Sequence, residues 1–152
     1  MINTDISEDF TALVDSQLLE DTAQKALIEL LPDSEIDLTI VIDDDQTLQD
    51  LNLKYLDIDA PTDVLSFQMN DLDPDSRRIY LGDIIISYPR AKAQAEAAGH
   101  RVEAELQLLT IHGILHLVGH DHSETDEKKE MWSVQSRLLA ELGVELKKLP
   151  ED

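Results

Sequence analysis

The chain has no cysteine, only 4% aromatic residues, and twelve lysines and arginines against thirty-three acids in 152 residues. Without thiolates it can build neither a disulfide framework nor a cysteine-ligated metal centre, so any transition-metal site must use His, Asp and Glu. It also lacks an apolar run of the roughly eighteen residues that read as a membrane span. The first twenty residues carry five carboxylates and neither Lys nor Arg, the reverse of a secretory leader. A soluble, cytoplasmic protein is expected. There is no Gly/Ser linker, repeat or low-complexity tract, and 42% hydrophobic composition at this length fills one ordinary core, so residues 1–152 are expected to form a single domain.

Positive charge is scarce and unevenly placed. The net charge of −21 argues against a polyanionic partner, because phosphate binding relies on Lys and Arg displacing counterions. Residues 1–75 hold twenty acids against Lys25 and Lys54, and residues 103–152 hold eleven acids against five bases. Between them, Arg77, Arg78, Arg90, Lys92 and Arg101 face only Asp83 and Glu96. This basic island is either the ordinary surface of a helix or a nucleic-acid contact.

Strand and helix signals alternate, which places the chain in the α/β class with about five helices. "DSQLLEDTAQKALIELL", from Asp15, puts Leu18, Leu19, Thr22, Ala23, Ala26, Leu27, Leu30 and Leu31 on one helical stripe that Pro32 stops. "EIDLTIVID" at 35–43 alternates as a half-buried strand does. A helix opens in "DDDQTLQDLNLKYL", and Pro61 prevents its continuation. "DVLSFQM" and "IYLGDIIIS" read as strands, paired as a hairpin or in parallel, with "NDLDPDSRR" between them as a loop. "SYPRAKAQAEAAGHR" reads as a helix capped by Ser87 and ended by Gly99. "RVEAELQLLTIHGILHLVGH" is apolar on most sides and is expected to be the central, most buried helix. A last amphipathic helix opens at a capping box on Ser123 and ends near Gly143.

Four of the five histidines fall within "HGILHLVGHDH", residues 112–122. On a helix, His112 and His116 stand one turn apart on the same face and can reach one cation. Gly119 can adopt the left-handed conformation that ends a helix and lets the chain return with His122 as a third ligand. Three neutral imidazoles suit one Zn²⁺ per chain, at the C-terminal end of the buried helix. The open fourth position takes a water whose pKa falls from about 16 to about 7. His120 is read as a surface residue and His100 as an ordinary loop histidine. Asp121 serves either as an acceptor behind a ligand or as one more solvated acid. The spacing coincides with that of metzincin proteases, yet the general-base glutamate that follows their first histidine is Gly113 here. Peptidase activity therefore ranks second.

"HGILHLVGHDH" resembles the H-G-x-L-H-L-x-G-x-D-H signature of the YbeY family of metal-dependent endoribonucleases. "PTDVLSF" at 61–67 and "LGDIIIS" at 81–87 also resemble that family in order and spacing, so the likeness covers the whole chain. It implies an α/β domain with a mixed, mostly four-stranded sheet. It also implies a single-strand-specific RNA hydrolase acting on small-subunit ribosomal RNA, including its 3′ end, in rRNA maturation and ribosome quality control. The implied partners are RNA, the small subunit and its assembly factors, and the implied metal ligands are His112, His116 and His122. Two departures stand out. His120 occupies a position that is typically Tyr, and Leu56 in "NLKYL" occupies a place where the family often has Arg. Leu cannot neutralise a phosphate, which leaves Lys54, Arg90, Lys92 and Arg101 as candidate RNA contacts. Asp63, Ser66 and Asp83 either line a cleft or hold the fold. A non-catalytic assembly factor with structural zinc is the third possibility, although such a site normally closes with four protein ligands.

Overall fold

The computed structural model describes residues 1–119, 125–144 and 146. Four strands form one mixed sheet: β1 (Ile2–Ile6), β2 (Ile36–Asp43), β3 (Val64–Leu72) and β4 (Ile79–Ser87), in the spatial order β1-β2-β4-β3. The helices are α1 (Ser16–Leu30), α2 (Asp45–Leu56), α3 (Tyr88–Ala98), α4 (Val102–Leu117) and α5 (Thr125–Glu141), with one 3₁₀ turn at Glu8–Phe10. β1 and β4 both run parallel to β2, and β3 runs antiparallel to β4. The α/β class, the mixed four-stranded sheet and the five helices agree with the sequence reading.

Each element is shaped by local chemistry. The Asp15 carboxylate caps α1 by accepting from the Gln17 and Leu18 N–H groups at 3.0 and 3.4 Å. The stripe expected from the sequence buries Leu19, Thr22, Ala23, Ala26 and Leu27. Asp44 caps α2 through the Thr47 N–H at 2.8 Å, and Asp57 ends that helix in a left-handed conformation, φ 59°, before Pro61 is reached. Ser87 caps α3 and Gly99 closes it at φ 79°, as expected.

β2 alternates strictly. Ile36, Leu38, Ile40 and Ile42 are buried with Ile84 and Ile86 of β4 in a core shared with α1 and α4, while Asp37, Thr39, Val41 and Asp43 face the other way. On that second face Leu48 of α2 covers Leu65 and Ile85 in a smaller cluster. Burying a Leu or Ile side chain contributes about 1.5–3 kcal/mol, so the large cluster between the sheet and α1 and α4 dominates.

Two stretches differ from the sequence reading. Residues 1–14 carry no strand signal there, yet Ile2–Ile6 pairs with β2 in register from Ile2 and Leu38 to Ile6 and Ile42. Residues 70–72, read as loop, continue β3 past an irregularity between Gln68 and Asp71, where Asn70 takes φ 52°. Asn tolerates that conformation better than most side chains, so the polar end of the strand survives as a hairpin. Beyond it Asp73 organises the turn, accepting from the Asp75 N–H and the Ser76 hydroxyl at 3.0 Å each.

The hairpin is tied to β2 by charge. Arg78 donates to Asp37 through Nε at 3.1 Å and through a terminal nitrogen at 2.6 Å, and reaches Glu35 at 3.0 Å. These hydrogen bonds, and after them the N-terminal ammonium, hold Asp37 down to about 2 from an ordinary 3.8. A depressed carboxylate stabilises the fold above its ordinary pKa and loses that contribution as pH falls through the folded value. Because Arg78 keeps over a third of its side chain in water, screening leaves roughly 1 kcal/mol. In urea denaturation, Asp37→Asn is expected to be less stable than the parent chain at neutral pH. The difference should close between about pH 4 and pH 2.

Candidate metal centre

α4 is apolar on nearly every side, with Leu108, Ile111, Ile114, Leu115 and Leu117 all almost completely buried. Its C-terminal half lies directly on β4. A Cβ at Gly113 would stand 2.8 Å from Cγ2 of Ile84, and one at Gly82, where φ is 152°, would meet the Phe67 carbonyl oxygen at 2.1 Å and Cδ2 of Leu117 at 2.9 Å. At Gly82 strand backbone and the Leu117 side chain already occupy the space, and at Gly113 the Ile84 side chain does. The edge strand β3 catches the last turn of the helix from the side. Ser66 donates to the Gly113 carbonyl at 3.3 Å, and the Gln68 amide donates to the Leu117 carbonyl at 2.9 Å. The Leu117 carbonyl belongs to the helix end, where intrahelical donors run out.

One residue before Gly113, the His112 ring reaches toward α5, and the His116 ring stands beside it. Their rings lie edge to face with centroids 4.7 Å apart, and their Nε2 atoms are 3.1 Å apart. Two nitrogens bound to one tetrahedral zinc at 2.0–2.1 Å stand about 3.3 Å apart. The pair thus already has the spacing of two ligands of one ion, and nitrogen is a donor that zinc accepts readily. The other ring nitrogen of His112, Nδ1, lies 3.1 Å from Oε1 of Gln135, a buried residue of α5. Gly119 ends the helix at φ 102°, with its N–H on the His116 carbonyl at 3.1 Å. Among the described residues no third His, Asp or Glu joins the two histidines. His120, Asp121, His122 and Ser123 lie outside the described residues.

The basic candidates are not equivalent. Arg90 is held by Asp45 through Nε at 3.1 Å and a terminal nitrogen at 2.9 Å, and the Ser87 hydroxyl donates to the same carboxylate at 3.0 Å. The guanidinium and then the hydroxyl hold Asp45 below the usual carboxylate range. Arg101 is mostly solvent-exposed beside Glu103 at 3.4 Å. Lys92 is exposed and, among the described residues, makes no ion pair. Lys54 lies over the Tyr55 ring at 5.1 Å, and Tyr55 packs edge-on against Phe67.

Sequence reasoning missed two polar partners. His100, read as an ordinary loop residue, is buried and paired with Glu105 of α4 at 2.7 Å. Its backbone N–H also closes α3 on the Ala95 carbonyl, so the pair joins the end of α3 to the start of α4. Gln135 was hidden inside an amphipathic pattern that could have marked it: it sits between Met131 and Leu138 at core spacing, where an amide is out of place.

A family description, Endoribonuclease YbeY, matches residues 3–143. The chain belongs to the YbeY endoribonuclease family. It is 40% identical over 141 residues to the Endoribonuclease YbeY of Corynebacterium kroppenstedtii, an alignment covering 88% of this chain and 70% of that relative. The Nocardia farcinica Endoribonuclease YbeY is 46% identical over 112 residues, 69% of this chain and 61% of that one. The chain thus spans 61–70% of the length of these relatives. The solution structure of TM1509 from Thermotoga maritima shares the fold, with a TM-score of 0.61 and 28% identity over 94% of this chain and 92% of that one.

Within this YbeY chain the residues left ambiguous by the sequence hold structure together. Asp63 accepts from the Val64 N–H at 2.8 Å and the Gln94 amide at 3.3 Å. Ser66 holds α4, and Asp83 accepts from the Tyr80 hydroxyl, which also meets Thr39 at 2.7 Å. Leu56 is exposed at the end of α2. Gly113→Ala gains about 1 kcal/mol of helix propensity but crowds the branched Ile84 in a full core, at about 1–3 kcal/mol. A net loss of about 1 kcal/mol, a few degrees in Tm, is expected by calorimetry.

Proposed function

We propose that residues 1–152 act as one zinc-dependent endoribonuclease domain on single-stranded ribosomal RNA of the small subunit, including its 3′ end. Its roles would be rRNA maturation and ribosome quality control in the cytoplasm, with the small subunit and its assembly factors as partners. The observation that carries this is the convergence of the His112 and His116 Nε2 atoms at 3.1 Å on the last turn of α4, in a chain whose family is one of endoribonucleases. His122, three residues past the Gly119 turn, is the proposed third ligand.

Zinc supplies Lewis acidity toward a phosphoryl oxygen and lowers the pKa of a water molecule to about 7. The chain supplies the rest. α4 fixes the direction of two imidazoles, and Gly119, at φ 102°, ends the helical stretch three residues before the proposed third ligand. Gly113 leaves no room for a carboxylate beside the first histidine, which removes the base that a peptidase of this spacing uses. Side chains that neutralise phosphate charge as it builds are drawn from Lys92, Arg101 and Arg90. Of these, Lys92 is the most available, because Arg90 is occupied by Asp45.

Purified protein is expected to carry one zinc per chain and to cleave single-stranded rRNA fragments. His112→Ala should lose the metal and reduce cleavage at least about 100-fold while remaining folded. Equal cleavage by the two proteins would sink the zinc-hydrolase assignment. Unchanged maturation with His116→Ala would instead make the protein a binding factor. In RNA-binding titrations across salt concentrations, Lys92→Ala should flatten the slope of log K against log salt by about 0.7. An unchanged slope removes Lys92 from the contact surface.

A further inference from the structure

We propose that Gln135 is the positioning residue of the metal centre: its side-chain carbonyl on α5 fixes the tautomer of His112, so that Nε2 presents its lone pair beside His116. The amide oxygen Oε1 only accepts hydrogen bonds, so the ring nitrogen 3.1 Å from it, Nδ1, must carry the proton. A neutral imidazole protonated at Nδ1 has its lone pair on Nε2, the atom that stands 3.1 Å from Nε2 of His116. The opposite tautomer would place a proton where a cation has to bind.

The position is a poor one for an amide on packing grounds alone. Gln135 is 2% exposed and lies on the seam of α5 with Met131, Leu138 and Leu139, all buried. Leu would fill the site without a polar group to satisfy, whereas a buried amide without a partner costs about 1–3 kcal/mol. Among the described residues there is one other buried glutamine, Gln107, and its amide donates to the Thr22 hydroxyl inside the core, a purely structural pair. Gln135 instead points its acceptor at a histidine. A neutral acceptor also orients the ring without bringing a carboxylate's charge toward the ion, which keeps the ion's full charge available to an anionic substrate.

This inference rests on the proposed zinc site, and separate measurements distinguish the failure of one from the failure of the other. Nitrogen-15 spectra of metal-free protein should show His112 protonated at Nδ1. Direct titration with Zn²⁺, read by competition with a chelating dye, should give about 10–100-fold weaker binding for Gln135→Leu. Gln135→Glu, which keeps an acceptor in the same place, should bind at least as tightly as the parent chain. Failure of the parent chain to bind Zn²⁺ would overturn the zinc site itself. A parent chain that binds Zn²⁺ with His112 protonated at Nε2, or a Gln135→Leu variant with unchanged affinity and tautomer, would overturn the role of Gln135 alone. An equal loss in Gln135→Glu and Gln135→Leu would do the same, because packing rather than the acceptor would then matter. Should Gln135→Leu fail to fold, the parent spectrum and the Gln135→Glu titration still decide.

Discussion

The close contact between the backbone of α4 and the face of β4 governs both the architecture of this protein and the geometry of its histidine pair. It is made twice over one stretch of helix. Gly113 lies on Ile84, and Leu117, one turn later, lies on Gly82. Each pair matches a missing side chain on one element to a large one on the other, so helix and strand approach more closely than two ordinary surfaces could. That approach fixes the rotation of α4 about its axis. With positions 113 and 117 against the sheet, His112 lies about a quarter turn further round the helix, where its ring meets Gln135 of α5. The same approach brings the carbonyls of Gly113 and Leu117 within reach of Ser66 and Gln68 on the neighbouring strand. The rigidity of the histidine pair therefore derives from packing in the sheet.

The sequence was legible where one physical effect dominates and obscure where two compete. The stripe of α1, the alternation of β2 and the cap at Ser87 are local, and each appears in the structure where the residues place it. β1 was invisible because an edge strand made of Ile2, Asn3, Thr4, Asp5 and Ile6 buries only part of one face, and its polar residues read as loop. The far end of β3 was read as a loop for the same reason: its last five residues are exposed, Met69 and Leu72 among them, and backbone pairing with β4 holds them rather than burial. At the candidate site, the spacing of His112 and His116 was readable because a helix turns a four-residue interval into a shared face. Gln135 was not, because the fact that matters is tertiary: which residue of α5 faces which nitrogen of α4. His100 and Glu105 were hidden similarly, since burial is a property of the assembled helices and neither residue signals it alone.

Charge placement reads differently in three dimensions than along the chain. The basic island suggested a contiguous contact surface, but the acids that offset it come from distant sequence. Asp37 and Glu35 take Arg78, and Asp45 takes Arg90. Two of the five bases are thus committed to holding the hairpin and the start of α3. Arg77, Lys92 and Arg101 are the exposed residues of the island, and Arg101 shares its position with Glu103. Intrinsic attraction for a polyanion is correspondingly small, so recognition of an RNA by this chain would draw more on partners and on the metal than on a basic surface.

The division of labour within the proposed metal centre reflects where its parts are anchored. His112 and His116 are placed by the most buried helix of the molecule, and the packing of that helix sets their spacing. Folding therefore meets much of the ordering entropy of these two ligands. A pre-spaced pair has a converse consequence. Two Nε2 lone pairs facing each other at 3.1 Å repel unless a proton or a cation lies between them. A cation held by both rings would remove that repulsion, and a His112 ring protonated at Nδ1 would meet it with its lone pair ready. The acceptor on α5 thereby links the packing of the last helix to the affinity of the site.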